Sequence, residues 1–215
     1  MLTYVQHVFV LLHLRRIILS KEDNIWESRY QAGTTGWDRG ATSKNLNYWL
    51  DNDLLKPCRI LVPGCGNGYE VLTLAKLGFD VVAIDIAPSA IKNLQAMLDK
   101  ESLKAELVLA DFFEWNPETP FDAIFEQTSL CALPSELWEQ YEVQLHSWLE
   151  PEGNLYAAFM QTGKEGGPPF HCALPAMETL FPKEKWAWSN EHIAQQKEPG
   201  MTELLYLLSV QSTIS

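Results

Sequence analysis

Basic residues are scarce in this chain of 215 residues: 16 lysines and arginines stand against 28 aspartates and glutamates, a net charge of −12. Binding a phosphate backbone needs clustered Lys and Arg, so no nucleic-acid partner is expected. The same charge repels anionic membrane surfaces. Cysteine is sparse too. Cys58, Cys65, Cys131 and Cys172 lie far apart, with no C-x-x-C and no histidine at ligand spacing. That argues against a zinc site and a disulfide framework, and for a reducing, cytoplasmic setting. The five histidines, His7, His13, His146, His171 and His192, form no metal constellation, so no metal is expected. The apolar stretch from Leu2 to Leu19 is interrupted by His7, His13, Arg15 and Arg16, too short and too charged to span a bilayer. Its positive charges follow the apolar run, the reverse of a signal peptide. Residues 1–20 are therefore read as a leader or a packed helix, with no stable membrane insertion. With 47% apolar residues, disorder is excluded for the remainder.

What is present is concentrated in Ile60-Leu61-Val62-Pro63-Gly64-Cys65-Gly66-Asn67-Gly68, an apolar strand running into three glycines at alternate positions. Glycines at a strand-to-helix turn let a ligand approach the main chain. About 20 residues on, Val81-Val82-Ala83-Ile84 ends at Asp85, an acid placed to accept from both hydroxyls of a ribose. A dinucleotide site needs G-x-G-x-x-G, with its third glycine beside a pyrophosphate. Here Tyr69 occupies that place. A loop without a phosphate cradle points to S-adenosylmethionine.

Elements alternate around this loop. Residues 27–40 read as an aromatic loop-and-helix lid, and Asn45 to Leu55 as an amphipathic helix stopped by Pro57. Strands are expected from Arg59, over Asp80 to Ile86, Ala105 to Ala110, Phe121 to Phe125 and Asn154 to Met160. Helices are expected over Tyr69 to Leu77, Pro88 to about Lys100, Leu137 to Leu149 and Pro175 to Phe181. Two last runs, Trp186 to Ile193 and Glu203 to Val210, flank Glu198-Pro199-Gly200 and predict an antiparallel hairpin. The sum is a Rossmann-like α/β fold: a seven-stranded, mostly parallel sheet with helices on both faces and that C-terminal hairpin. Residues 21–215 are read as one domain, 21–56 forming lid and helices and 57–215 the sheet core. Ligands of open sheets bind outside the strands' carboxyl ends, which here carry Gly64, Asp85, Asp111 and Glu126.

Three segments carry a resemblance to a known family: Trp26 to Gly40, Leu61 to Glu70 with its V-P-G-C-G core, and Gly166-Gly167-Pro168-Pro169-Phe170. In this order they resemble class I S-adenosylmethionine-dependent methyltransferases of the thiopurine S-methyltransferase and thiol/halide methyltransferase superfamily. The resemblance implies that Trp26, Tyr30 and Trp37 close over the sulfonium, which aromatic faces attract by about 0.5–2 kcal/mol per contact. It also implies that Gly64, with Gly66 and Gly68, brings bare main chain to the cofactor. Asp85 takes the ribose, Asp111 and Phe112 the adenine, and Glu126 to Ser129 line the channel beneath the reacting methyl. Tyr30 stands where plant halide enzymes usually carry Trp.

Methyl transfer from a sulfonium is an in-line displacement in which the protein mainly aligns the reactants. A thiolate needs no general base, in keeping with the absence of a Ser-His-Asp or paired-carboxylate arrangement. For an oxygen or nitrogen acceptor Glu126 is the candidate base. The acceptor site is expected between the lid and the loop through Phe170. Halide-handling members commonly carry Tyr at that place; Phe170 has no hydroxyl to meet an anion, and overall acidity gives anions no help. A small-molecule acceptor methylated at sulfur, a thiol or thiopurine-like compound, is therefore the expected substrate. The alternatives are a halide or another small acceptor, or a regulatory protein that binds the cofactor without catalysis.

Overall fold

Strand alternation decides the layers. In the computed structural model, which describes residues 24–189, 193–198 and 201–211, the first strand β1 (Arg59–Pro63) sends Ile60 and Val62 to one face and Leu61 to the other. The neighbouring strands β2 (Asp80–Asp85), β3 (Glu106–Leu109), β4 (Phe121–Gln127) and β5 (Leu149–Gln161) run parallel to it, in the order β3-β2-β1-β4-β5. A parallel sheet is stable only with both faces covered. On the Ile60 face lie α2 (Lys44–Asp51), α3 (Tyr69–Lys76) and α4 (Pro88–Glu101), contributing Trp49, Leu74 and Leu94. On the Leu61 face lie α5 (Trp138–Trp148) and α6 (Leu174–Leu180), contributing Tyr141, Trp148 and Met177. A short helix, α1 (Ile25–Gln31), precedes them all and packs against α4.

The antiparallel C-terminal part forms as expected, with one correction. The predicted single run Trp186 to Ile193 is two strands, β6 (Trp186–Trp188) and β7 (Ile193–Glu198), making eight strands rather than seven. Both pair with one edge of β8 (Met201–Val210), whose other edge pairs with β5. Trp188 faces Leu208 and Ile193 faces Leu205, so five steps on one side oppose three on the other. The layer plan is unchanged, since both strands pair with β8. β5 begins before the expected start at Asn154, so Pro151, Glu152 and Gly153 lie inside it at a register shift, with Glu152 at φ 66°. Among the described residues no helix is long and apolar enough to cross a membrane, and no cluster of three potential metal ligands occurs. The leader, residues 1–20, lies outside the described residues.

Candidate cofactor and acceptor site

At the carboxyl ends of β1, β2 and β4 the chain encloses a cavity of about 380 Å³. Its floor is the glycine turn. Gly64, Gly66 and Gly68 all have positive φ, at 55°, 56° and 75°. Two of them are glycine for a reason other than ligand access. A Cβ on Gly64 would strike the Ser129 hydroxyl, and one on Gly68 would strike the Leu94 side chain. Only at Gly66 does the missing Cβ face the lid, under the Tyr30 hydroxyl. Gly68 also serves as the left-handed N-cap of α3.

Asp85, at the tip of β2, is buried and lines the cavity. Its Oδ2 accepts from the Gly66 amide at 2.9 Å and its Oδ1 from the Ala87 amide at 2.8 Å. Burial pushes this carboxyl above its usual range, and the amides of Ala87, Gly66 and Ile86 only partly oppose it. Each carboxylate oxygen can take further donors. Burial, with the Asp85 charge added, also raises the Cys65 thiol well above the normal range, leaving an inert side chain in the turn.

The roof is aromatic and latched at both ends. Asn24 caps α1, accepting from the amides of Trp26 at 3.1 Å and Glu27 at 3.0 Å, while its Nδ2 donates to the Ile86 carbonyl at 2.9 Å. Glu27 reaches across to α4, accepting from the Ser89 amide at 2.9 Å and the Ser89 hydroxyl at 2.7 Å. At the far end Asn67 donates to Asp38, Ser43 donates its amide to Glu70 at 2.9 Å, and Thr42 and Thr73 share a hydrogen bond at 2.7 Å. Between these latches Trp37 meets Trp26 edge-to-face at 5.2 Å and Tyr30 at 5.8 Å. Burial, then the Asp85 charge, raises the Tyr30 phenol far above its ordinary value, so it stays neutral.

The wall comes from the ends of β3 and β4. Phe112 lines the cavity and packs on Tyr141 at 5.0 Å, so it is at once a core and a wall residue; Asp111 lines the cavity beside it. Thr128, β-branched at φ 78°, is a strained turn that leads β4 away from the sheet. Gln127, the last residue of β4, lines the cavity with Thr128 and Ser129, and Ser129 donates to the Pro63 carbonyl at 2.8 Å.

Nine expected residues thus meet at one cavity: Trp26, Tyr30, Trp37, Gly64, Gly66, Gly68, Asp85, Asp111 and Phe112. The two acceptor-site candidates do not line it. Glu126 is 1% exposed and accepts from the Leu130 amide at 2.7 Å, because the left-handed turn at Thr128 folds that amide back over it. Phe170 turns its ring onto Gly167 and donates its amide to the Cys131 carbonyl at 2.7 Å, while Pro168 and Pro169 face the cavity instead. Among the lining residues to which the sequence alone gave no role are two cations, Arg29 and Arg39. Both lie within the aromatic lid segment, where a charge among tryptophans was the available signal.

The sequence model of the thiopurine S-methyltransferase family matches residues 21–204. Thiocyanate methyltransferase 1 of Brassica oleracea is 34% identical over 164 residues, covering 74% of this chain and 72% of that protein. Thiopurine S-methyltransferase of Pseudomonas fluorescens is 27% identical over 165 residues, covering 68% and 74%. In fold, the chain is similar to the crystal structure of Burkholderia thailandensis 1,6-didemethyltoxoflavin-N1-methyltransferase with bound S-adenosylhomocysteine, at a TM-score of 0.70 and 16% identity, over 96% of this chain and 90% of that one. The chain therefore belongs to the thiopurine S-methyltransferase family.

Proposed function

We propose that this protein transfers the methyl group of S-adenosylmethionine to the sulfur of a small acceptor. The observation that carries the reading is a single cavity joining the glycine turn, Asp85 and the Trp26–Tyr30–Trp37 roof, in a chain whose relatives are named for thiocyanate and thiopurine methylation. The residues fit the cofactor. The volume lies in the range of small-molecule pockets. Asp85 keeps acceptor capacity for a ribose diol, Gly66 offers bare main chain, and the three rings present faces to a soft cation. Asp111 and Phe112 are assigned to the adenine.

When bound, the cofactor supplies a methyl on a sulfonium that leaves as a neutral thioether. The chain's own contribution is binding, alignment and exclusion of water beneath the latched roof. Sulfur as the acceptor atom is supported by what the cavity acids already do. Asp38 accepts from Asn67 and the Gly40 amide, Glu70 from Ser43, Asp85 from two amides and Asp111 from the Phe113 amide. A thiolate makes no demand on any of them. Incubation with methyl-labelled cofactor and a panel of thiols, thiopurines, thiocyanate and halides tests the assignment. Labelled thioether is the expected product. Turnover confined to oxygen, nitrogen or halide acceptors rejects the assignment, and cofactor binding with no turnover on any acceptor favours a regulatory binder.

A further inference from the structure

With 28 acids to 16 lysines and arginines, a positive side chain in this protein has carboxylates in excess around it. Arg59 pairs with Asp80 at 2.7 Å, Lys76 with Glu101 at 3.2 Å and Lys185 with Glu142 at 3.3 Å. Other described cations, Lys44, Lys92 and Lys104 among them, have no ion pair among the described residues either, and what sets Arg29 apart is its place. Its guanidinium lines the cavity, and among the described residues no carboxylate lies within ion-pair distance. It rests instead against the Trp26 and Trp37 rings, 5.5 and 5.7 Å from their centroids. The nearest acid in sequence, Glu27, is committed to Ser89 on α4, and the cavity acids Asp38 and Asp85 are committed to Asn67 and to main-chain amides.

A guanidinium presents five N–H donors in a planar fork matched to a carboxylate or a compact anion. Here the fork is held by two indoles at the border between the aromatic roof and open cavity. The net charge of −12 does not cancel it. Exposed charges more than about 8 Å away are largely screened at physiological salt, so an entering acceptor feels chiefly the groups that line the cavity, where Arg29 and Arg39 stand with the acids Asp38, Glu70, Asp85 and Asp111. Arg39, carried on the same lid, lines the cavity as a second positive group.

We propose that Arg29 is the specificity-determining residue of the acceptor site, selecting small sulfur compounds that carry a negative charge over neutral thiols of the same size. The assignment rests on the methyl-transfer reading above. The charge can reside on the sulfur itself or on a carboxylate a few atoms away.

Equilibrium binding separates these cases and does not depend on turnover. The full chain, loaded with S-adenosylhomocysteine, is titrated calorimetrically with 3-mercaptopropionate, 2-mercaptoethanol and thiocyanate, and the series is repeated with Arg29→Met and Arg29→Lys. The unaltered protein is expected to hold 3-mercaptopropionate or thiocyanate at least about tenfold more tightly than 2-mercaptoethanol, the scale of one charge-assisted hydrogen bond. Arg29→Met should abolish the preference and Arg29→Lys restore part of it, each variant being titrated with S-adenosylhomocysteine at saturation. A preference for thiocyanate alone places the selected charge on the sulfur; one for 3-mercaptopropionate alone places it on the carboxylate. No anion preference in the unaltered protein, or a preference that survives Arg29→Met, overturns the assignment. An anion preference in a protein that methylates no sulfur compound leaves Arg29 as the selector and rejects the sulfur-methylation reading instead.

Discussion

Replacing Glu27 by alanine removes the latch between the aromatic roof and α4, and the structure gives the size of the effect. Helix α4 begins at Pro88 after Ala87, which has no side chain to cap the first amides. Glu27, 62 residues away, supplies the missing acceptor through the Ser89 amide and hydroxyl. Losing an N-cap acceptor costs about 0.5–2 kcal/mol, and losing a negative charge at a helix N-terminus about 0.3–1 kcal/mol. Glu27 is partly exposed, so solvent screening trims the sum to about 1–2 kcal/mol. That is roughly a 5- to 30-fold shift of the roof from docked towards undocked. Amide hydrogen exchange on the ligand-free protein reads this shift directly. Protection of the α1 amides should fall by that factor while protection in β1 and β4 holds. Burial works against the charged Glu27, but the Ser89 amide, the Ser89 hydroxyl and Gln31 outweigh it, so its folded pKa is depressed. The latch is therefore fully present above the ordinary carboxylate range and is lost as pH falls through the folded value. Equal loss of protection in the roof and the core would refute the reasoning, since Glu27 would then support the whole fold rather than the roof.

Asp85→Ala should weaken S-adenosylhomocysteine binding by about 1.5–3 kcal/mol in calorimetry, and unchanged affinity in a folded variant would remove Asp85 from the site. Because burial raises the Asp85 carboxyl, cofactor affinity of the unaltered protein should decline as pH drops from neutrality, before an ordinary aspartate would titrate; Asp85→Asn should flatten that decline. Gly68→Ala places a methyl in the space held by the Leu94 side chain at a φ of 75°, and should cost about 1–3 kcal/mol in urea unfolding. The double variant with Leu94→Ala should be less than additive, and full additivity would contradict the steric cause. Phe170→Tyr should leave the acceptor profile of a methyl-transfer assay unchanged, because that ring packs on Gly167 outside the cavity; new halide turnover would return Phe170 to the acceptor site.

The rim of the sheet was legible because its signals are local. A strand that alternates between faces, a turn with glycines at fixed spacing and an acid at the next strand's tip are each written within a dozen residues. That sufficed to place Gly64, Gly66, Asp85 and Asp111 on one cavity, and the three-ring roof with them through its resemblance. The break between β6 and β7 was not legible, since the run from Trp186 to Ile193 carries no glycine or proline to mark it. Glu126 and Phe170 were assigned to the acceptor by position alone. Which way each side chain turns depends on a left-handed Thr128 and on Gly167, contacts that periodicity does not encode.

By itself, then, the sequence determined the layer order and which residues stand at the carboxyl rim, because hydrophobic period and turn chemistry are properties of neighbours along the chain. Only the tertiary structure decided that Gly68 yields to Leu94, that Glu27 holds Ser89, and that Arg29 reaches the cavity with indoles for company. Those outcomes hang on contacts between groups tens of residues apart, or on which of several acids has already been claimed by an amide.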